Sequence, residues 1–82
     1  SRYGYQTQRG LIITQVKNFS EAERKGLSVG DIILEVNRRK VLTVEDLEKI
    51  LNKVGSGEAV VFLVRRETDG ESADSIVTLR VP

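Results

Sequence analysis

Apolar residues along the chain follow two rhythms. From Tyr5 to Gln8 apolar and polar side chains alternate, Arg9-Gly10 offers a turn, and "LIITQVK" resumes a β-rich run that ends at Asn18. Two paired strands are the natural consequence. "IILEVN", from Ile32 to Asn37, is apolar at successive positions, as expected of a strand buried on both faces. "AVVFLVRR" is a strong strand, and "SIVTLRV" alternates cleanly as a closing strand. Between these two lies "ETDGES", read as a polar loop around Asp69-Gly70.

Between the strands the rhythm changes to that of short helices. "SEAERKG" begins with Ser20 as a helix cap, has Glu23 three residues on to complete a capping box, and ends at Gly26, which suits a left-handed terminus. "LSVGD" then turns, with Gly30 free to take positive φ. After the turn "RRK" and Val41, Thr43 caps a second helix, and Asp46 stands where its side chain reaches back to the cap. Leu42 and Leu47 occupy the ends of a hydrophobic staple. Glu45 and Lys49 form an i,i+4 pair in the favourable order. The helix is expected to run to about Lys53 and to end near Gly55. The resulting element order is β-β-α-β-α-β-β, with no internal repeat. It describes an α+β, mainly β fold: a partly closed β-structure of short strands with two helices filling its open ends.

The second helix also marks a surface. At about 100° per residue, Leu47, Ile50 and Val54 centre the apolar arc, and Val44, Glu48 and Leu51 lie along one margin. Val44 and Leu51, two turns apart with Glu48 between them, form a half-exposed strip, or else they widen the buried stripe.

Composition narrows the chemistry. A chain of 82 residues is one domain, which buries only roughly 60% of its unfolded surface and leaves little room for a deep cavity. Thirteen basic and twelve acidic residues give a net charge of +1, too balanced to argue by itself for nucleic acid or an anionic membrane. There is no cysteine and no histidine, so disulfides, thiolate chemistry, the usual general base and the commonest metal ligand are all missing. No apolar run approaches the ~20 residues needed to span a bilayer, and the chain reads as an excised piece of something larger. No catalytic residue, metal site or cofactor is expected.

The run Gly26-Leu27, Gly30-Asp31, Ile33 and Val36-Asn37 within "GLSVGDIILEVN", with "SEAERKG" before it and "VEDLEKIL" after it, resembles a PDZ domain. The resemblance is closest to the PDZ domains attached to trypsin-like serine proteases of the HtrA/Deg family, and it extends from Tyr3 to Val81. It implies residues 1–82 as a single PDZ domain, a PDZ-like partly open β-barrel or sandwich of five to six short strands capped by two helices. In that family the binding loop has an apolar-Gly-apolar core, matched here by Tyr3, Gly4 and Tyr5. Gly4 would let neighbouring N–H groups converge on a carboxylate, and Arg2, which replaces the glycine common in such loops, would assist through charge or water.

The binding mode the resemblance implies is strand addition. An incoming C-terminus pairs with Tyr5, Gln6, Thr7 and Gln8 and lies against Val44, Leu47, Glu48 and Leu51. Val44 stands where some family members place a histidine that selects a hydroxyl side chain, so an apolar partner residue is expected there; Glu48 would favour a basic or hydroxyl neighbour. The implied partners are C-terminal peptides or unfolded polypeptides with apolar ends, and the protease domain of the parent chain. The parent could be homo-oligomeric, and its implied compartment is the bacterial periplasm or cell envelope. The usual Asn-Gly turn becomes Asn37-Arg38-Arg39, which should strain or reshape that turn without touching the groove.

Three rival readings compete with strand addition. Catalysis fails for want of a histidine, a Gly-x-Ser-x-Gly elbow or a supported serine-lysine pair. A small β-α-β nucleic-acid binder would use Arg38 to Lys40 and Arg65-Arg66, but four aromatics without a stacking pattern do not suit it. A PDZ domain of another protease or scaffold, acting in assembly, would bind no free chain end.

Overall fold

The computed structural model describes residues 4–6, 10–14 and 21–81. Its elements are β1 (Gly4–Gln6), β2 (Leu11–Ile13), α1 (Glu21–Arg24), β3 (Ile32–Val36), β4 (Arg39–Lys40), α2 (Val44–Leu51), β5 (Ala59–Thr68) and β6 (Glu71–Arg80). The class is mainly β with two short helices, as expected. The strands form one open antiparallel sheet in the order β1-β2-β3-β5-β6, with the two-residue β4 folded back onto β3. The strand expected from Leu11 to Asn18 ends at Ile13, with Thr14 outside it; positions 15–18 and the capping box proposed at Ser20 lie outside the described residues. The "RRK" segment read as a turn supplies β4, because Arg39 and Lys40 pair with Val36 and Glu35.

Alternation in β2 and β5 builds the core. Leu11 and Ile13 from β2 and Val60, Phe62 and Val64 from β5 all point inward, joined by Val77 from β6. β3 cannot follow strict alternation, because both Ile33 and Val36 enter the same core although three positions separate them. A register shift between Ile33 and Glu35 resolves this: Ile33 faces Val64, yet Glu35 already faces Leu63. The extra residue flips the alternation, as a β-bulge does, and accounts for the apolar pattern that marked this strand as buried on both faces. Gly10 is held to glycine by crowding, since a Cβ there would run into the Ile33 carbonyl oxygen.

The segment read as a polar loop from Glu67 to Ser72 is mostly strand. β5 and β6 pair without interruption from Ala59↔Arg80 to Thr68↔Glu71, and only Asp69 and Gly70 turn, at φ 50° and 80°. Two adjacent positive-φ residues make the tight turn whose twist matches that of the hairpin. Its polar side chains had hidden the pairing, because a two-stranded ladder needs backbone rather than apolar side chains. Gly26 and Gly30 take positive φ as expected, 102° and 95°.

The Asn37-Arg38 turn has the same geometry, at φ 51° and 67°. Asn37 tolerates it and uses its side chain: the Val61 N–H donates to Asn37 Oδ1 at 2.9 Å, and the Asn37 N–H donates to the Val61 carbonyl at 2.8 Å. Arg38 keeps the turn at the expense of a left-handed backbone, which is the expected strain without a change of shape. Left-handed geometry costs a non-glycine residue roughly 1–2 kcal/mol, partly offset by the entropy glycine loses on folding. Arg38→Gly should therefore raise stability by about 0.5–1 kcal/mol in urea unfolding, and a variant no more stable than the parent would show that the turn is relaxed.

Candidate functional site

The sheet has two edges, and they are furnished differently. β6 ends it on one side, with α1 lying near it; β1 ends it on the other, with α2 against it. β1 pairs only with β2 among the described residues, Gly4 opposite Ile13, Tyr5 opposite Ile12 and Gln6 opposite Leu11. Its other edge therefore runs beside the helix without a strand partner.

Of the residues singled out in the sequence, Gly4, Tyr5 and Gln6 form β1, and Val44, Leu47, Glu48 and Leu51 all lie on α2. Arg2, Tyr3, Thr7 and Gln8 lie outside the described residues. No residue of α2 is fully buried. Val44 and Leu51 pack partly against the core together with Leu47, Ile50 and Val54, and Glu48 is exposed. Both readings of the strip hold in part: Val44 and Leu51 widen the apolar stripe and still keep exposed surface. The helix rests on the flank of the sheet, so even the centre of its arc is only half covered.

The start of α2 is locked by its own side chains. Thr43 Oγ1 accepts the Asp46 N–H at 3.0 Å, and Asp46 Oδ2 accepts the N–H groups of Thr43 and Leu42 at 3.2 and 3.0 Å. The capping box expected from the sequence is complete, with Leu42 added to it. The Leu42 N–H bond, then the Thr43 bonds and the charge of Lys49, hold the Asp46 carboxyl below its ordinary range, against the smaller opposing effect of burial. This cap sets where Val44 begins and so fixes the rotation of the helix face beside β1. α2 ends at Leu51, two residues short of the expected Lys53.

A second set of contacts went unread in the sequence. Asp31, only 2% exposed, accepts Arg66 Nε and Nη2 through its two oxygens, each at 2.9 Å, and also the Ser28 N–H at 3.1 Å. Arg66 Nη2 further donates to the Gly26 carbonyl at 2.9 Å. This fork ties the loop after α1 to β5. Asp31 belonged to the recognised motif, but its partner lies 35 positions away, beyond any local spacing rule. Arg65 is likewise bound to Asp74, directly opposite on β6, at 2.7 and 3.1 Å, and this pairing lowers the Asp74 pKa. The arginine pair considered for phosphate contact is thus engaged within the fold, by Asp31 and Asp74.

Among the described residues no helix is long and apolar enough to cross a membrane, and no three His, Cys, Asp or Glu side chains gather where they could hold a metal ion.

An open sheet edge flanked by a capped helix, on a small mainly-β scaffold, defines a protein-binding module rather than a catalytic centre. The family model described as PDZ domain matches residues 4–78, and the chain belongs to that family. It is 39% identical over 56 residues to a protein of Chlamydia trachomatis described as a DegP-like periplasmic serine endoprotease, a match covering 68% of this chain and 11% of that protein. A protein of Marinomonas with the same description is 35% identical over 77 residues, covering 94% of this chain and 16% of that protein. A Synechocystis protein described as the serine protease HhoB is 36% identical over 63 residues, covering 77% and 15%. The chain therefore spans between about a tenth and a sixth of the length of these relatives.

The cap makes a pH prediction. Because the folded pKa of Asp46 is depressed, its contribution is present above the unfolded carboxylate value of about 3.9 and is lost as pH falls through the folded value. Asp46→Asn should melt earlier than the parent at pH 7, and the gap should close as the pH is lowered below about 4. A gap in melting temperature that stays constant down to the acid limit would exclude the carboxylate charge as the cause.

Proposed function

We propose that this domain captures exposed apolar C-termini by adding them as a strand to β1, and that it is the substrate-recognition or regulatory module of an HtrA/Deg-type serine protease working in the periplasm or cell envelope. The observation that supports it most directly is the unpartnered outer edge of β1 lying beside α2. An extended chain fitted there gains main-chain hydrogen bonds from β1 whatever its sequence, while Val44 and Leu51 offer apolar contact to alternate side chains. Tyr3, Gly4 and Tyr5, with Arg2, hold the terminal carboxylate in this reading, and Tyr5 to Gln8 supply the pairing strand. Val44 selects an apolar residue two places before the end, and Glu48, exposed between Val44 and Leu51, faces the side chain nearby. The proteolytic parent and its compartment rest on the relatives described as periplasmic serine endoproteases.

Affinity is expected to be micromolar or weaker, about −8 kcal/mol or less favourable, because a short peptide must be ordered on binding. Amidating the terminus of an apolar-ended peptide removes charge-assisted hydrogen bonds worth ~1.5–3 kcal/mol each, so calorimetry should read at least a tenfold loss. Equal binding of acid and amide would remove the carboxylate from the mechanism and favour an assembly role.

Leu51→Lys should abolish peptide binding with the melting transition preserved, and Gly4→Val should weaken it through the backbone. Unchanged affinity in the lysine variant would place the groove on another face.

A further inference from the structure

A cavity of about 250 Å³ lies on the flank of α2 away from Val44 and Glu48. Ile50 of α2, Val54 just past its end and Ala59 at the start of β5 supply its apolar surface, and Asn37, Arg39, Lys53 and Glu58 its polar surface. None of Val44, Glu48, Leu51 or the β1 residues lines it, so the cavity is separate from the β1 edge. Its volume falls below the range of about 300–1,000 Å³ usual for small-molecule sites, and matches one large side chain better than a cofactor.

Apart from Glu58, the polar side chains around it offer donors that no acceptor among the described residues takes up. The Val61 N–H can only donate, so Asn37 must present Oδ1 to it and turn its Nδ2 elsewhere; among the described residues that amide nitrogen has no acceptor. Arg39 and Lys53 are exposed and make no ion pair among the described residues, and the same is true of Arg38 and Lys40 beside them. The one carboxylate in the lining, Glu58, accepts the Gly55 N–H through Oε1 at 2.7 Å, and the rim sets two cations, Arg39 and Lys53, against this single anion. By contrast Arg65 and Arg66, elsewhere on the same sheet, are each matched by an aspartate. An occupant that completes this set needs an apolar group for the floor and carboxylates for the rim.

We propose that this cavity is a second docking site, for an internal peptide segment in which an apolar side chain is flanked by acidic ones. The apolar side chain seats on Ile50, Val54 and Ala59, and the neighbouring carboxylates accept from Arg39, Lys53 and Asn37 Nδ2. No chain terminus is required, which separates this site in kind from strand addition at β1.

The test is an amide-resolved NMR titration of the 82-residue chain with a peptide of alternating aspartate and leucine, acetylated and amidated so that it offers no terminal charge. Saturable shifts at Asn37, Ile50, Val54 and Ala59 are expected, with at least tenfold weaker binding by the same peptide carrying lysine for aspartate. The double variant R39E/K53E should bind the acidic peptide at least tenfold more weakly with an unchanged melting temperature. Since neither side chain has an ion-pair partner among the described residues, a loss of binding without a loss of stability isolates the rim charges.

Several results would overturn the proposal: no saturation at millimolar peptide, shifts confined to β1 and the Val44 face, equal binding by the lysine peptide, or full binding by the double variant. Tighter binding of a single-stranded oligonucleotide at the same residues would assign the cations to phosphate instead.

Discussion

The pairing of β3 with β5 is the seam on which the domain depends. It joins the amino-terminal strands to the β5–β6 hairpin, and it brings Ile33 and Val36 against the inward row of Val60, Phe62 and Val64. The bulge after Ile33 is what allows both β3 residues to enter that core. Side chains pin the seam at both ends. Asn37 exchanges two hydrogen bonds with Val61 at one end, and Asp31 grips Arg66 at the other. The Asp31 carboxylate is buried, so it costs desolvation that only its fork of donors offsets, and loss of Arg66 would leave a buried charge unmatched.

From the seam outward, the sheet is finished in two ways. β6 is long, and residues such as Glu71 and Asp74 keep its surface charged, a common defence of an exposed edge. β1 is short, three residues among those described, and has α2 beside it. A short edge next to an apolar helix margin suits the reversible, backbone-led association proposed for it, since modest pairing gains suffice when specificity comes from side chains. The capping box at Thr43 and Asp46 belongs to the same device, because it fixes the helix start and with it the direction in which Val44 and Leu51 point.

Charge on this molecule divides by location. Arg65 and Arg66 look like a free basic pair in the sequence, yet both serve to fasten strands and a loop. The basic run Arg38, Arg39 and Lys40 sits on a tight turn and a two-residue strand and makes no ion pair among the described residues, although Glu35 stands opposite Lys40. A nearly neutral total therefore conceals a run of cations without ion pairs among the described residues, and it is there that an acidic partner is proposed to dock.

Local interactions were legible in the sequence because they act between near neighbours: the capping box of α2, the positive φ of Gly26 and Gly30, the alternation of β5, and the family motif from Gly26 to Asn37. Where side-chain chemistry misled, backbone pairing had the decisive role: the polar stretch from Glu67 to Ser72 became ladder, and Arg39-Lys40 became strand, since main-chain hydrogen bonds require no apolar residues. The grip of Arg66 on Asp31, the bulge in β3 and the placing of α2 beside β1 arise between segments distant in the chain. Sequence determined which pieces could form and which faces were apolar; the packed sheet decided which pieces meet, because burial and pairing reward only combinations that fit together in space.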